Sequence, residues 1–157
     1  MSLAAEGATR APLAMKRRLI WYGMVLFSLG IVTELLMRFM LNPRMAYSAH
    51  LVALMSGIFL MQLGVLWEDM DIPERWRGVA FWVWVFATYS AWGSMFVSAI
   101  FGTSRSTPLA SVDLRRAAML WQENVVDVIY IAFFVTIVIS CALALWGLAR
   151  GRARASA

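Results

Sequence analysis

Four long apolar stretches, separated by short polar segments, dominate the hydrophobic pattern of this chain. Each is close to the roughly 20 residues that a helix needs to cross the apolar core of a bilayer. The stretches occupy residues 19–41, 48–67, 79–101 and 124–148. Pro43 precedes the second stretch, and an acidic turn with Pro73 ends it, as expected of a residue that interrupts helices. The pattern therefore predicts an all-α integral membrane protein, a bundle of four transmembrane helices.

The composition also indicates a membrane protein. The chain of 157 residues is 62% hydrophobic and 15% charged, and its mean hydropathy is +0.71, which is far too apolar for a soluble domain of this length. The net charge of +5 would suggest nucleic acid as a partner of a soluble protein, but here the basic residues cluster at helix ends. Positive-inside sorting and anionic lipid explain that placement. We therefore expect membrane lipid, and no nucleic acid, as a partner.

The distribution of Lys and Arg predicts the orientation in the membrane. The tails, residues 1–18 and 150–157, flank a membrane domain of residues 19–149 and, together with the loop between the second and third helices, carry nine of the 14 basic residues. Cytoplasmic segments are enriched in Lys and Arg, so both termini are expected in the cytoplasm and His50 toward the opposite face. The amino tail is expected to lack regular structure. The alternative, the n-region of a signal peptide, fits poorly because the following apolar run is too long.

The stretch from Asn42 to Gly57, NPRMAYSAHLVALMSG, contains His50, the only histidine in the chain. Its polar start and apolar continuation place one imidazole at the mouth of a membrane helix. Imidazole is a common metal and haem ligand and exchanges protons near neutral pH. His50 is therefore the candidate for any chemistry that needs such a group. The alternative is an interfacial residue that only forms hydrogen bonds.

Small residues follow His50 along one face of the second helix. Ala53, Gly57 and Gly64 fall on nearly one stripe. Small side chains let another helix approach closely, and they would also let a flat macrocycle lie against the helix beside the histidine. The spacing alone does not separate helix packing from cofactor binding.

Ionisable residues inside a membrane are informative because each costs on the order of 3 kcal/mol near the centre of a helix. Glu34 and Arg38 are four residues apart in the first helix, so they share a face and form a candidate ion pair. The functional alternative is that Glu34 orients His50 or transfers a proton in the same cavity. Asp127, near the start of the fourth helix, is either an interfacial residue or a polar group facing that cavity.

An aromatic stripe marks the third helix. Tyr89, Trp92 and Phe96 have the i, i+3, i+7 spacing of one helical face. One hypothesis is a wall for a flat aromatic substrate, with the Tyr89 hydroxyl as hydrogen-bond donor; packing between helices is the alternative. The connection of residues 102–123 is long for a link between helices, and we predict that it folds as a lid over the His50 side.

The residue types that are missing narrow the chemistry. The sequence has no second histidine, no cysteine cluster and no glycine-rich phosphate loop, and its single cysteine, Cys141, excludes an intrachain disulfide. If a metal is used, the most economical arrangement is a haem with one protein ligand and an open second face. An open coordination site favours binding or catalysis over electron transfer.

Several motifs in or beside the second, third and fourth predicted helices are specific enough to compare with known families. They are NPRM followed by SAHL and Gly57, then Thr88 and Tyr89 with Trp92, WQE at residues 121–123, and LWGL at residues 145–148. Over residues 20–149 they resemble the hydroxylaminobenzene mutases, which are small four-helix membrane isomerases. A more distant resemblance, through Ala49, His50, Gly57 and the four-helix plan, is to styrene oxide isomerase.

The resemblance implies a cofactor and an assembly. Styrene oxide isomerase is a homotrimer with haem b between its subunits, and the histidine that matches His50 holds the iron. By this resemblance we expect haem b on His50, with Ala53 and Gly57 against the macrocycle, in a homotrimer of the bacterial inner membrane.

The resemblance also implies a reaction. We expect the rearrangement of an aromatic hydroxylamine to an aminophenol, with ferric haem as Lewis acid, Tyr89 bonded to the substrate, Trp92 as an apolar wall and Glu34 as an assisting group. The alternatives are a haem-dependent aryl epoxide isomerase, a sensing or electron-carrying haem protein with Met95 as second ligand, and a non-catalytic assembly protein.

Four residues depart from the pattern expected of the mutases. Val52 and Ala53 stand where Glu and Gly are expected, and Ser56 and Ala91 each stand where Asn is expected. Polar pocket residues are thus replaced by smaller or apolar ones. The resemblance therefore predicts the scaffold more firmly than it predicts the substrate.

Overall fold

A computed structural model describes residues 3–111 and 118–156, with side chains from residue 13 onward except at 111–117 and 155, and its regular structure is helical throughout. The long helices are α1 (Leu3–Leu36), α2 (Pro43–Val65), α3 (Glu74–Phe101) and α4 (Leu120–Ala155). Short 3-10 turns lie at Met37–Phe39, Leu66–Glu68 and Pro108–Ser111. All four long helices are long and apolar enough to cross a membrane. The predicted four-helix membrane bundle is thus confirmed, and the chain is a multi-pass membrane protein.

Helix α2 begins before the predicted Ser48 because Pro43 starts the helix instead of interrupting it. Proline suits the first helical position, where its missing N–H has no partner to lose. Asn42 caps the helix, since its side-chain oxygen accepts a hydrogen bond of 3.1 Å from the backbone N–H of Met45. The cap places the start of α2 next to α3, where the N–H of Asn42 donates to the carbonyl of Ala99 at 3.0 Å.

The other helices also extend beyond the apolar stretches that predicted them. α3 begins at Glu74, directly after Pro73, and α4 continues past Leu148 to Ala155. α1 begins at Leu3, so much of the amino tail that was expected to lack regular structure continues the first helix. Polar residues next to an apolar run can extend its helix into the headgroup region, which hydropathy alone does not show. The side of the membrane on which the tails lie stays a prediction.

The helices pack in chain order, with α1 against α2, α2 against α3, and α3 against α4. The contact between α1 and α2 is the closest, because glycines face each other there. A Cβ added at Gly57 would lie 2.7 Å from the carbonyl oxygen of Gly23 and 2.8 Å from the backbone nitrogen of Phe27. The two backbones therefore meet without intervening side chains, as in small-residue contacts between membrane helices.

Helix α4 is attached at the other side of α3. The indole Nε1 of the fully buried Trp84 donates a hydrogen bond of 3.0 Å to the carbonyl of Ser140. At the end of α4 the carbonyl of Gly147 accepts from the N–H of Asp71, 3.1 Å away. Most of the remaining surface of α4 is exposed and apolar, which suits contact with lipid chains.

Candidate active site around His50

His50 lies on the face of α2 that packs against α1, and both of its ring nitrogens are close to α1. Its Nδ1 is 2.9 Å from the carbonyl oxygen of Gly30. Because a carbonyl oxygen only accepts hydrogen bonds, Nδ1 carries a proton and donates it. Nε2 is 3.6 Å from a carboxylate oxygen of Glu34. The imidazole is therefore held in one orientation by the backbone of α1 and faces an acidic side chain one turn further along.

The observed partner of Glu34 is His50, which agrees with the functional alternative stated for this residue. The α-helix ends at Leu36, and Arg38 lies in the 3-10 turn that follows, so the i, i+4 register of the expected ion pair does not continue to Arg38. A proton on Nε2 makes an imidazolium that pairs with the Glu34 carboxylate. Without that proton, Nε2 presents a lone pair on the side of the ring where Glu34 lies.

Trp92 of α3 contacts the same turn of α1 that holds Glu34. Its indole Nε1 donates to Oγ1 of Thr33 at 3.1 Å, and Thr33 is fully buried beside Glu34 in the sequence. Trp92 also stacks on Phe96, with ring centroids 5.0 Å apart. One turn of α1, residues 30–34, thus contacts both His50 of α2 and Trp92 of α3. We call this group the His50 cluster, and its members are Gly30, Thr33, Glu34, His50 and Trp92.

Tyr89 lies outside the His50 cluster. Its hydroxyl donates a hydrogen bond of 2.9 Å to the carbonyl of Tyr22. Tyr22 precedes Gly30 by eight residues on α1, which is about 12 Å along the helix axis. Within one chain, the Tyr89 hydroxyl therefore ties α3 to α1, and its expected role toward a substrate stays a prediction.

The small residues after His50 serve helix packing. Ala53 is fully buried, and it lies 3.0 Å from the position that a Cβ at Gly30 would take. The space beside Gly57 is filled by Gly23 and Phe27 of α1. Because α1 occupies this face, a macrocycle has no room against Ala53 and Gly57 within the chain. Of the two alternatives for this stripe, the geometry supports packing.

The surroundings of His50 nevertheless suit a metal ligand. Histidines that bind metals commonly donate the other ring N–H to a carbonyl or carboxylate, which fixes the tautomer. The bond from Nδ1 to Gly30 does this and leaves Nε2 for a metal, near a Glu34 side chain that is 43% exposed. No group of three His, Cys, Asp or Glu residues that could hold a metal ion occurs in the described part of the chain. His50 thus has the arrangement of an oriented imidazole ligand, and haem on His50 stays a prediction.

Met95, the predicted alternative ligand, belongs to a different group of side chains. It packs against Met45, Ala46 and Ala99, where α2 begins and α3 ends. Met95 thus belongs to a group of side chains at the end of α3, and its alternative role as a second ligand stays a prediction.

The connection after α3 is held by two acidic residues of α4. Glu123, which is buried, accepts hydrogen bonds from the backbone N–H groups of Ser104, at 2.9 Å, and Arg105, at 3.1 Å. Asp127 accepts from the Arg105 guanidinium at 3.0 Å and from the Ser106 hydroxyl. Asp127 thus anchors the loop, which neither of its two predicted roles included.

Sequence reasoning missed Gly30, Thr33 and Glu123. Gly30 contributes a carbonyl group, and no side-chain pattern marks a carbonyl that accepts from another helix. Thr33 looks like any threonine in an apolar helix. Glu123 had a usable signal, since a buried acid in the first turn of a membrane helix needs donors nearby.

The fold and the His50 cluster define a class, a small four-helix membrane protein whose one histidine is oriented between two helices. A sequence model described as styrene oxide isomerase matches residues 15–149. The chain belongs to the styrene oxide isomerase family.

Two relatives are similar over most of the chain. Hydroxylaminobenzene mutase HabB of Ectopseudomonas oleovorans is 36% identical over 148 residues, which cover 94% of this chain and 88% of the relative. Hydroxylaminobenzene mutase HabA of the same organism is 34% identical over 113 residues, covering 71% of this chain and 82% of the relative. No solved structure matches the chain significantly. The predicted resemblance to both groups is confirmed.

Proposed function

We propose that this protein is a membrane isomerase that converts an aromatic hydroxylamine into an aminophenol, with haem b held by His50 in a homotrimer. Membership of the styrene oxide isomerase family and the relatives named hydroxylaminobenzene mutase support a membrane isomerase or mutase. The observation that carries the assignment of the site is the hydrogen bond from His50 Nδ1 to Gly30. It orients the ring and leaves Nε2 as the ligand atom.

The proposed reaction is an isomerisation without net oxidation or reduction. The N–O bond breaks and a C–O bond forms at a ring carbon. That carbon loses one proton and the nitrogen gains one, so the product is an isomer of the substrate. Haem bound on His50 would supply a Lewis-acidic iron for the oxygen of the substrate.

The residues of the chain have separate tasks in this proposal. The Gly30 carbonyl fixes the tautomer of His50. Glu34, whose carboxylate lies 3.6 Å from Nε2, is on the His50 side of a group bound at that nitrogen, so in this proposal it sets the charge beside the ligand atom. The indole N–H of Trp92 is already bonded to Thr33, so Trp92 offers a substrate only its apolar surface. Tyr89 is assigned to the packing of α3 on α1.

An absorption spectrum of the purified protein in mild detergent tests the cofactor. We expect a Soret band in the wild type that is lost in His50→Ala and restored by added imidazole, because imidazole can occupy the space of the deleted ring. Gln62→Ala, an exposed change on the same helix, serves as the control and should keep the band. A band of equal intensity in wild type and His50→Ala would refute the role of His50.

Conversion of hydroxylaminobenzene to aminophenol, followed by liquid chromatography, tests the reaction. Glu34→Gln keeps the size of the side chain and removes its charge beside the ligand nitrogen, so we expect kcat to fall about 10- to 100-fold, with the Soret band retained. Wild-type protein that binds haem and leaves hydroxylaminobenzene unchanged would refute the mutase assignment.

The match to the family described as styrene oxide isomerase favours one alternative substrate class, the aryl epoxides. The same cluster would serve, because opening the C–O bond of an aryl epoxide also places positive charge next to an aromatic ring. Styrene oxide offered in parallel separates the two, since its isomer is an aldehyde. Turnover of styrene oxide alone would replace the hydroxylamine by the epoxide as the substrate.

A further inference from the structure

A cavity of about 320 Å³ lies between α2, α3, α4 and the loop that follows α3. Its walls include Met45 and Ser48 of α2, Met95 of α3 and Tyr130 of α4. Ser48 and His50 are two residues apart, which places them about 200° apart around the helix. The cavity and the His50 cluster therefore occupy opposite sides of α2. Residues 106–110 of the loop predicted as a lid border this cavity, whereas residues 112–117 of that loop lie outside the described residues.

The described residues that line the cavity are uncharged. Apolar groups come from Met45, Met95 and Leu109, and hydroxyl groups come from Ser48, Ser106, Thr107 and Tyr130. Thioethers contact aromatic rings favourably, and an apolar cavity of about 150 Å³ already holds benzene. The volume and these residues therefore suit an aromatic ring that carries a small polar group.

The roof of the cavity, residues 106–110, is fastened to α4. It directly follows Arg105, whose guanidinium contacts Asp127 at 3.0 Å and whose backbone N–H donates to Glu123 at 3.1 Å. Ser106, the first residue of the roof, also bonds to Asp127. Three contacts at two carboxylates thus hold the roof in place over the cavity.

We propose that this cavity binds a neutral single-ring aromatic molecule of the class that the proposed reaction uses, and that the bonds to Asp127 hold residues 106–110 in place as one of its walls. The identification of the occupant as substrate rests on the proposed function. The binding itself does not, because it follows from the volume, the lining and the anchored roof.

Binding can be measured without turnover by ¹⁹F NMR with 4-fluoroaniline as the probe and the protein in lipid nanodiscs. We expect saturable binding to wild type that excess aniline displaces. Ser48→Leu fills the cavity and should weaken binding at least about tenfold. Ser28→Leu is the matched control, since both serines donate to the carbonyl four residues earlier and Ser28 lies on the exposed face of α1.

Two further variants keep the test decisive if Ser48→Leu misfolds. Ala110→Leu fills the cavity from the roof and should weaken binding in the same way. Asp127→Asn removes the charge that holds Arg105, and we expect it to raise the dissociation rate of the probe several-fold.

The outcomes separate this inference from the proposed function. Equal probe binding in wild type and the two cavity-filling variants would overturn the cavity as the site, and so would a wild type that isomerises hydroxylaminobenzene but shows no saturable binding. Saturable binding lost in both filling variants, in a protein without isomerase activity, would support the cavity and overturn the proposed function.

Discussion

The close contact between α1 and α2 makes Gly57→Ala the sharpest test of the fold. A Cβ at this position would lie 2.7 Å from the Gly23 carbonyl oxygen and 2.8 Å from the Phe27 backbone nitrogen, and Cβ atoms essentially never lie within 3.0 Å of a neighbour. The Phe27 Cβ is a further 3.0 Å contact. Because these neighbours are backbone atoms and a Cβ, no change of rotamer relieves the contact. The two helices must separate near the His50 cluster.

The size of the effect follows from two opposing contributions. Overpacking of a well-packed contact costs about 1–3 kcal/mol, whereas alanine in place of glycine favours a helix by about 1 kcal/mol. Gly93→Ala is the matched control, because nothing lies within 4 Å of a Cβ at that position of α3. The difference in free energy of unfolding between the two variants therefore isolates the steric cost, and we expect Gly57→Ala to be less stable than Gly93→Ala by about 1–3 kcal/mol.

Unfolding by sodium dodecyl sulfate in mixed micelles, followed by circular dichroism, measures this difference. A Gly57→Ala protein as stable as Gly93→Ala would show that α1 does not approach α2 this closely. Gly23, which meets Gly57, and Gly30 lie on the same face of α1, two turns apart. We therefore also expect Gly57→Ala to weaken the contact between Gly30 and His50.

Three further predictions address other contacts of the described residues. Thr33→Val leaves the indole N–H of Trp92 without its acceptor, so we expect a loss of about 1–3 kcal/mol in the same unfolding assay, and an unchanged stability would contradict the observed bond. Glu123→Gln removes the charge that accepts two backbone N–H groups of the loop, so limited proteolysis should cut the loop faster than in wild type; equal rates would argue against anchoring. Gly151→Ala would push α4 off the Asp69 carbonyl, which lies against the glycine, so the melting temperature should fall, and an unchanged value would exclude the contact.

Part of the candidate site could be predicted from residue types alone. His50 could be selected because it is the only histidine and stands at the start of a membrane helix, and Glu34 because an acid inside a membrane needs a partner. The sequence could not favour a contact of Glu34 with His50 over a pair of Glu34 with Arg38. The spacing of four residues along α1 allows the pair with Arg38, and no spacing predicts a contact between two helices. The three-dimensional placement of α2 decided it by bringing Nε2 to 3.6 Å from the carboxylate.

Tyr89 and Gly57 were assigned to the site from spacing and resemblance, and within one chain both take part in the packing of helices on α1. The spacing of residues along a helix shows which side chains share a face, but it does not show which neighbouring helix that face contacts. The Tyr89 hydroxyl reaches Tyr22, far along α1 from Gly30, and Gly57 meets the backbone of α1. Haem binding, the trimer and the orientation of the termini stay predictions.

The class and the number of helices could be derived from the sequence, because hydropathy over about 20 residues is a local property that the bilayer selects directly. The motifs indicated the family, and the single histidine indicated the imidazole around which chemistry could be built. The folded chain was needed to show which nitrogen of His50 donates to Gly30, that Trp92 contacts the same turn of α1, and that residues 106–110 border the cavity on the other side of α2. These features depend on contacts between distant segments, and no local pattern of residues encodes such a contact.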